Sequence, residues 1–278
     1  MRQHITIVDA FAERAFTGNP AAVCVLSEAV SDGWMRKVAA EINLSETCFV
    51  RREGDCFSLR WFTPTIEVDL CGHATLAAAH VLWEENILAT ELAAEFDTRS
   101  GRLSVVRRDA RIEMDFPAQA SRATDSPTGV RKALGTEARN VERNERDMVI
   151  EVADEHIVRS LQPDLPWVAA LPTLGLIVTC RAKELPYDFV SRYFAPRAGI
   201  DEDPVCGSAH CCLGPYWSKR LGKNQMRGYQ ASARGGVVHV TVEEQRVKLA
   251  GSAVTILRSE LAAEALPTAT RWQATKVS

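Results

Sequence analysis

Arg60-Trp61-Phe62-Thr63-Pro64 leads into Cys71-Gly72-His73-Ala74, and Arg192-Tyr193-Phe194-Ala195-Pro196 leads into Cys206-Gly207-Ser208-Ala209. The same phrase occurs twice, its cysteines 135 positions apart in a chain of 278 residues. A repeat spanning about half the chain predicts two similar halves, each bringing one thiol to a shared cleft. Two opposed thiols can take a proton from one face of a carbon and return one to the other, which is the chemistry of a cofactor-independent epimerase.

Each Cys-Gly step stands immediately before a predicted helix. The first, apolar at Leu76, Ala77, Ala78, Val81 and Leu82, reads as buried in the middle of its half. The second runs from Gly207 to about Leu221, with an irregularity expected at Pro215. A helix start carries free N–H groups and partial positive charge. On that ground the thiol pKa values are expected to fall. The same N–H groups suit a substrate carboxylate, and Gly72 and Gly207 leave it room to approach.

Outward from these motifs, strands are predicted at 6–11, 21–26, 47–51, 57–62, 103–107 and 111–116. Ser31-Asp32 caps a helix to about Asn43, with Trp34, Met35, Val38, Ala39 and Ile42 at helical spacing. Pro117 to Thr128, rich in Ala, Ser, Thr and Pro, marks the boundary between two domains. The second half repeats the plan more loosely, with strands near 174–180, 188–194, 226–232, 237–242, 246–250 and 254–257. The last dozen residues are weakly patterned and expected to fray. The fold class is α+β: two domains, each a sheet curled around one central helix.

Composition bounds the rest. Hydrophobic residues are 46% and charged residues 25%, with a net charge of −3 and pI near 6.1. That balance argues against a nucleic-acid surface. Arg131 to Arg146 mixes both signs and reads as solvated surface. The N-terminus reads as a strand rather than a signal peptide, and no stretch is long and apolar enough for a membrane helix. Eight cysteines without a secretion signal point to free thiols and a cytoplasmic protein. The spacings of Cys71, His73, Cys206, His210 and Cys211 match no common structural zinc framework, so no metal is expected. Neither a dinucleotide fingerprint nor a phosphate loop occurs, so no cofactor is expected.

Four further polar residues draw notice. Glu46 lies between a predicted helix and strand. Asp203 precedes the second thiol by three residues, where a plain cap is the simpler role. His73 and Ser208 hold equivalent places two residues after the thiols, able to orient a substrate or only to cap a helix.

At these residues the chain resembles the phenazine-biosynthesis-F (PhzF)-like isomerases of the diaminopimelate epimerase fold. The likeness is strongest at 8–11, 16–23, 43–47, 59–75 and 201–209, and covers nearly the whole chain. It implies pseudo-symmetric lobes, 1–118 and 119–278, with the site between them and the last strand crossing back to the first lobe. It implies that Glu46 is an acid/base assisted by His73, Asp203 and Ser208, that Asn19 and Ser45-Glu46-Thr47 line the substrate pocket, and that the chain forms a homodimer. Many members carry Ala or Gly at the place of Cys71 and Thr at that of Cys206. The double cysteine is similar to plant-type racemase or epimerase members, and to diaminopimelate epimerases and proline racemases.

Together these readings favour an amino-acid racemase or epimerase using Cys71 and Cys206. The substrate is expected to carry a carboxylate and a medium-sized neutral side chain, and peroxide is expected to disable it. A Glu46-centred isomerase moving a proton on an unsaturated molecule is the alternative. A non-catalytic interaction protein on an enzyme fold is the third.

Overall fold

The computed structural model of the chain describes residues 2–183 and 186–267; the C-terminal stretch expected to fray lies, from 268 on, outside them. Its strands form one hydrogen-bonded ribbon. In the first half, His4–Ala10, Asn19–Leu26, Glu46–Glu53, Cys56–Phe62, Ala94–Thr98, Gly101–Arg108 and Arg111–Pro117 each bond to the next. The second–third and fourth–fifth pairs are parallel, the others antiparallel. The second half runs Asn140–Arg143, Asp147–Glu151, Gly175–Arg181, Phe189–Ala195, Gln225–Gln230, Gly236–Glu243 and Arg246–Gly251, parallel at the same two steps. The duplication read from the two Cys-Gly phrases therefore extends to the order and direction of every strand, which makes the fold pseudo-symmetric α+β.

Parallel neighbours need a long crossover, and the helices supply it. Asp32–Ile42 and Gly72–Glu84 bridge the parallel pairs of the first half. Glu155–Ser160 with Leu165–Ala170, and then Gly207–Leu221, do so in the second. The halves meet where Arg111–Pro117 pairs antiparallel with Arg246–Gly251. Each half also lends the other a strand: Arg122–Ala123 pairs with Asn140–Arg143, and Ala253–Glu260 with His4–Ala10.

Gly72–Glu84 is Ala- and Leu-rich, free of β-branched runs, and buried on almost every face from His73 to Trp83. A helix apolar all round is stable only when enclosed, and here strands cover it. Gly207–Leu221 is buried from Ala209 to Gly214 and again at Tyr216 and Trp217. One apolar cluster contains residues of both helices, so the two halves share a core.

The repeated Arg-aromatic-Phe phrase has a structural cause. Arg60 makes a two-pronged ion pair with Glu67, at 2.7 and 2.7 Å, and Arg192 does the same with Glu202, at 2.6 and 2.7 Å. Each arginine also lies over the following phenylalanine, Phe62 or Phe194, at 5.2 and 4.9 Å from the ring centre. The glutamates sit on Glu67–Val68 and Ile200–Asp203, short strands just ahead of the thiols, paired with Trp61 and Tyr193 respectively. The phrase thus anchors the segment that delivers each cysteine.

Two differences from the sequence expectation have clear physical reasons. Gly207–Leu221 runs unbroken through Pro215. Proline deprives the carbonyl four residues back of its donor, and the Gln119 N–H, outside the helix, takes the Cys211 carbonyl at 3.1 Å. Arg131 to Arg146, read as solvated surface, contains the helix Val130–Leu134 (from Arg131 on) and the strand Asn140–Arg143, whose Val130, Ala133, Leu134 and Val141 are buried. All eight cysteines are free, as expected, and no described helix is long and apolar enough to cross a membrane.

Candidate active site

Cys71 and Cys206 occupy the N-caps of the two long central helices, in extended backbone conformation, and neither side chain caps its own helix. The first-turn N–H groups are left without that side-chain acceptor. Four residues on, the Thr75 hydroxyl and His210 Nδ1–H each donate to the cysteine carbonyl, at 2.6 and 2.8 Å. This fixes the backbone of each thiol. It also commits His210 structurally. The helix tips face each other: a Cβ built on Gly207 would lie 4.0 Å from the Cα of Gly72 and 3.8 Å from Leu249.

The remaining sequence candidates gather here. Asn19, fully buried, directs its amide toward Asp203 Oδ1 at 2.7 Å, the Val205 carbonyl at 3.0 Å and His73 Nδ1 at 3.2 Å. Its position depends on Gly18, whose φ is +69° and where a Cβ would meet the Ala10 carbonyl oxygen at 2.2 Å; only glycine fits. Gly18 N–H donates to the Gly235 carbonyl, and Arg234 holds Asp9 at 2.6 Å, locking this loop to the second half. The Cys71 sulfur lies 3.4 Å from His73 Nδ1, and His73 Nε2 lies 3.3 Å from Glu46 Oε2. With Nδ1 facing an amide donor, the imidazole proton belongs on Nε2, which is near Glu46 but makes no hydrogen bond. On the other side, the Cys206 sulfur lies 3.2 Å from the Ser208 hydroxyl.

Burial sets the protonation states. It pushes Glu46 up to about 7, assisted by the negative charge of Asp203, while hydrogen bonding from Cys71 opposes the rise. It pushes Asp203 up to about 6 against hydrogen bonds from Cys206, the Val205 N–H and Asn19. His73 is pushed down to about 4 and is neutral at pH 7. Both helix-tip thiols go up, not down. Burial dominates, and Glu46 beside Cys71 and Asp203 beside Cys206 add to it. The expectation that helix tips lower the thiol pKa is therefore corrected: a dry site with a carboxylate beside each sulfur outweighs the tip charge. Each half presents a thiol–carboxylate pair.

Sequence reasoning missed Gln230, fully buried, which accepts the Cys206 N–H at 2.9 Å and donates to the Asp203 carbonyl at 2.6 Å. A lone glutamine at a strand end carries no signal. It also missed Asp147 and Tyr193 beside Cys206, joined at 2.9 Å. Glu46, Cys71 and His73 each offer a donor atom within 4.8 Å of the others, a set that could hold a metal ion. Among the described residues Cys206, His210 and Cys211 form no such group.

Comparison with known proteins places this arrangement. The family model described as phenazine biosynthesis-like protein, PhzC-PhzF, matches residues 8–259. An uncharacterized isomerase of Halalkalibacterium halodurans is 48% identical over 94% of this chain and 99% of its own length. The crystal structure of a phenazine biosynthesis PhzF-family protein from Enterococcus faecalis superposes with a TM-score of 0.91 at 42% identity, covering 94% of this chain and 100% of that one. A probable proline racemase from Agrobacterium radiobacter, at 12% identity, has a TM-score of 0.59 over 95% of this chain and 93% of that one, and shares the fold. With that match across nearly its whole length, and with relatives named as isomerases, the chain is an isomerase belonging to the PhzC-PhzF family of phenazine biosynthesis-like proteins.

Proposed function

We propose that this isomerase inverts a carbon next to a carboxylate, as an amino-acid racemase or epimerase would, with one thiol–carboxylate pair serving each face. The observation that carries this reading is the meeting of two uncapped helix tips at Gly72 and Gly207, each with its own cysteine and buried acid. The substrate carboxylate is held by the first-turn N–H groups, which also stabilise negative charge developing during proton removal. Cys71, relayed to Glu46 and His73, serves one face. Cys206, relayed to Asp203 and Ser208, serves the other. In each direction one carboxylate takes the proton of its own thiol, making that sulfur the base, while the opposite thiol keeps its proton and delivers it to the other face. Asn19 bridges the sets through His73 and Asp203. No cofactor is required for this step.

The test is incorporation of solvent deuterium at Cα across a panel of L- and D-amino acids. Inversion should stop in Cys71→Ala and in Cys206→Ala, with one-sided exchange surviving in each. Full inversion in the double variant removes the reading. A second reading is favoured by Glu46, whose carboxyl at about 7 is itself suited to acid–base work at neutral pH. Glu46 would then relocate a proton along an unsaturated acid, and Glu46→Gln would be far more damaging than either cysteine change.

A further inference from the structure

Asn19 belongs to the first half and bonds to the second. It opens the strand Asn19–Leu26 and follows an arm of eight residues, 11–18, that reaches across to Gly235. The equivalent connection in the second half, 144–146, has three. The Asn19 side chain is fully buried, and its nitrogen faces three acceptors: Asp203 Oδ1 at 2.7 Å, the Val205 carbonyl at 3.0 Å and His73 Nδ1 at 3.2 Å. An amide nitrogen carries two hydrogens, so one acceptor goes without. The amide oxygen has no hydrogen-bond partner among the described residues, and nothing on that side holds the group against a small turn.

Charge decides which acceptor is served. An ionised Asp203 draws a hydrogen more strongly than a neutral imidazole does, and the Val205 carbonyl keeps the other. His73 Nδ1 then has a free lone pair facing the Cys71 sulfur at 3.4 Å. Through it the ring can pass a proton. Cys71 S–H gives its hydrogen to Nδ1 while Nε2 gives its own to Glu46 Oε2. The products are a Cys71 thiolate, the other His73 tautomer and a protonated Glu46. The Nε2–Oε2 separation of 3.3 Å shortens to a hydrogen bond at transfer. Once Asp203 has taken the Cys206 proton, its pull on the amide weakens. The Asn19 hydrogen then turns to His73 Nδ1, fills that lone pair and keeps the proton on Cys71.

We propose that Asn19 is a positioning residue that couples the two thiol–carboxylate pairs, so that one sulfur is ionised at a time. An ionised Asp203 opens the His73 relay that makes Cys71 a base. A protonated Asp203, the state in which Cys206 is the base, closes it. Inversion by two bases needs this reciprocity, since one sulfur takes a proton while the other delivers one. Coupling between sites is mutual, so an ionised Cys71 equally favours a charged Asp203 and a protonated Cys206. The purpose of this coupling rests on the proton-transfer reading; its existence is measurable without turnover.

The test is the sign of one response. Peptide-resolved iodoacetamide labelling of Cys71 at pH 8 is compared between the parent and Asp203→Asn, whose neutral amide stands for the protonated acid. Charge alone predicts faster labelling, because the Asp203 carboxylate helps to hold the Cys71 thiol up. Coupling predicts labelling slower by about fivefold or more. In an Asn19→Ala background the slowing should vanish and the charge effect emerge, and the difference across this double-mutant cycle measures the coupling. In long-range proton–nitrogen NMR spectra, Asp203→Asn should move His73 toward the Nε2–H tautomer, and with Asn19→Ala it should not. Should Asn19→Ala fail to fold, the sign of the labelling change and the tautomer shift in Asp203→Asn still decide. Faster labelling of Cys71 in Asp203→Asn, or an unmoved tautomer, overturns the inference and leaves inversion by two thiols standing. Slower labelling with no deuterium exchange at Cα of any amino acid keeps the coupling and removes the proton-transfer reading instead.

Discussion

Gly72 and Gly207 stand tip to tip, with 4.0 Å separating the Cα of the first from a Cβ placed on the second. That gap is ordinary van der Waals distance, so an alanine fits the fold but occupies the approach to the helix N–H groups. Gly207→Ala should leave the free energy of urea unfolding within about 1 kcal/mol of the parent and reduce kcat/KM by roughly tenfold or more. A variant that loses stability and activity together would mean the glycine serves packing alone.

The two buried acids make stability fall as pH rises. Glu46 goes from 4.5 to about 7 on folding, and Asp203 from 3.8 to about 6. Each binds its proton more tightly when folded, so the stabilisation is complete below about pH 4 and is lost as pH climbs to about 7. A shift of this size is worth on the order of 3 kcal/mol per group. Glu46→Gln should therefore match the parent near pH 4 and exceed it in stability near pH 8, as measured by urea unfolding at both. Activity should show a rising limb near pH 7 in the parent that is absent from Glu46→Gln.

Raised thiol pKa values and burial should slow any reaction that needs the thiolate. Cys71 and Cys206 should label slowly with iodoacetamide at pH 7, after the partly exposed Cys56. Peptide mass spectrometry over time reads the order. Rapid labelling of either helix-tip thiol at neutral pH would show that thiolate predominates after all.

The two arginine anchors differ in depth. The Arg192 side chain is 9% exposed and Arg60 is 26% exposed. Removing Glu202 leaves a buried charge without its partner, so Glu202→Ala should cost about 3–5 kcal/mol. Glu67→Ala should cost less, because Arg60 keeps Asp32 at 2.7 Å and more water. Chemical unfolding of the two variants gives the ranking.

What was legible in the sequence follows from what repeats or oscillates. Ser31 capping Trp34, the apolar run Leu76 to Leu82 and the Cys-Gly starts all appear where expected, because periodicity and caps are local signals. The strand Asp147–Glu151 was not legible. Its neighbours are the charges of Arg131 to Arg146, and nothing local announces that Asp147 is fully buried. The direction of the thiol pKa shift failed for a related reason. Burial is the main cause and the field of Glu46 beside Cys71 adds to it, and both are properties of tertiary packing. Arg60 and Arg192 stood in the repeated phrase without a role, which became visible only when the pairing of the short strands placed Glu67 and Glu202 beside them.

The reciprocal loan of Arg122–Ala123 and Ala253–Glu260 has a consequence for the chain as a folding unit. Severed at the midpoint, the leading fragment would lack the cover on His4–Ala10 and offer a bare, aggregation-prone edge. Duplication has therefore not left two autonomous modules: each is completed by donor-strand exchange, and an active molecule requires both segments in one polypeptide or reassembled in trans.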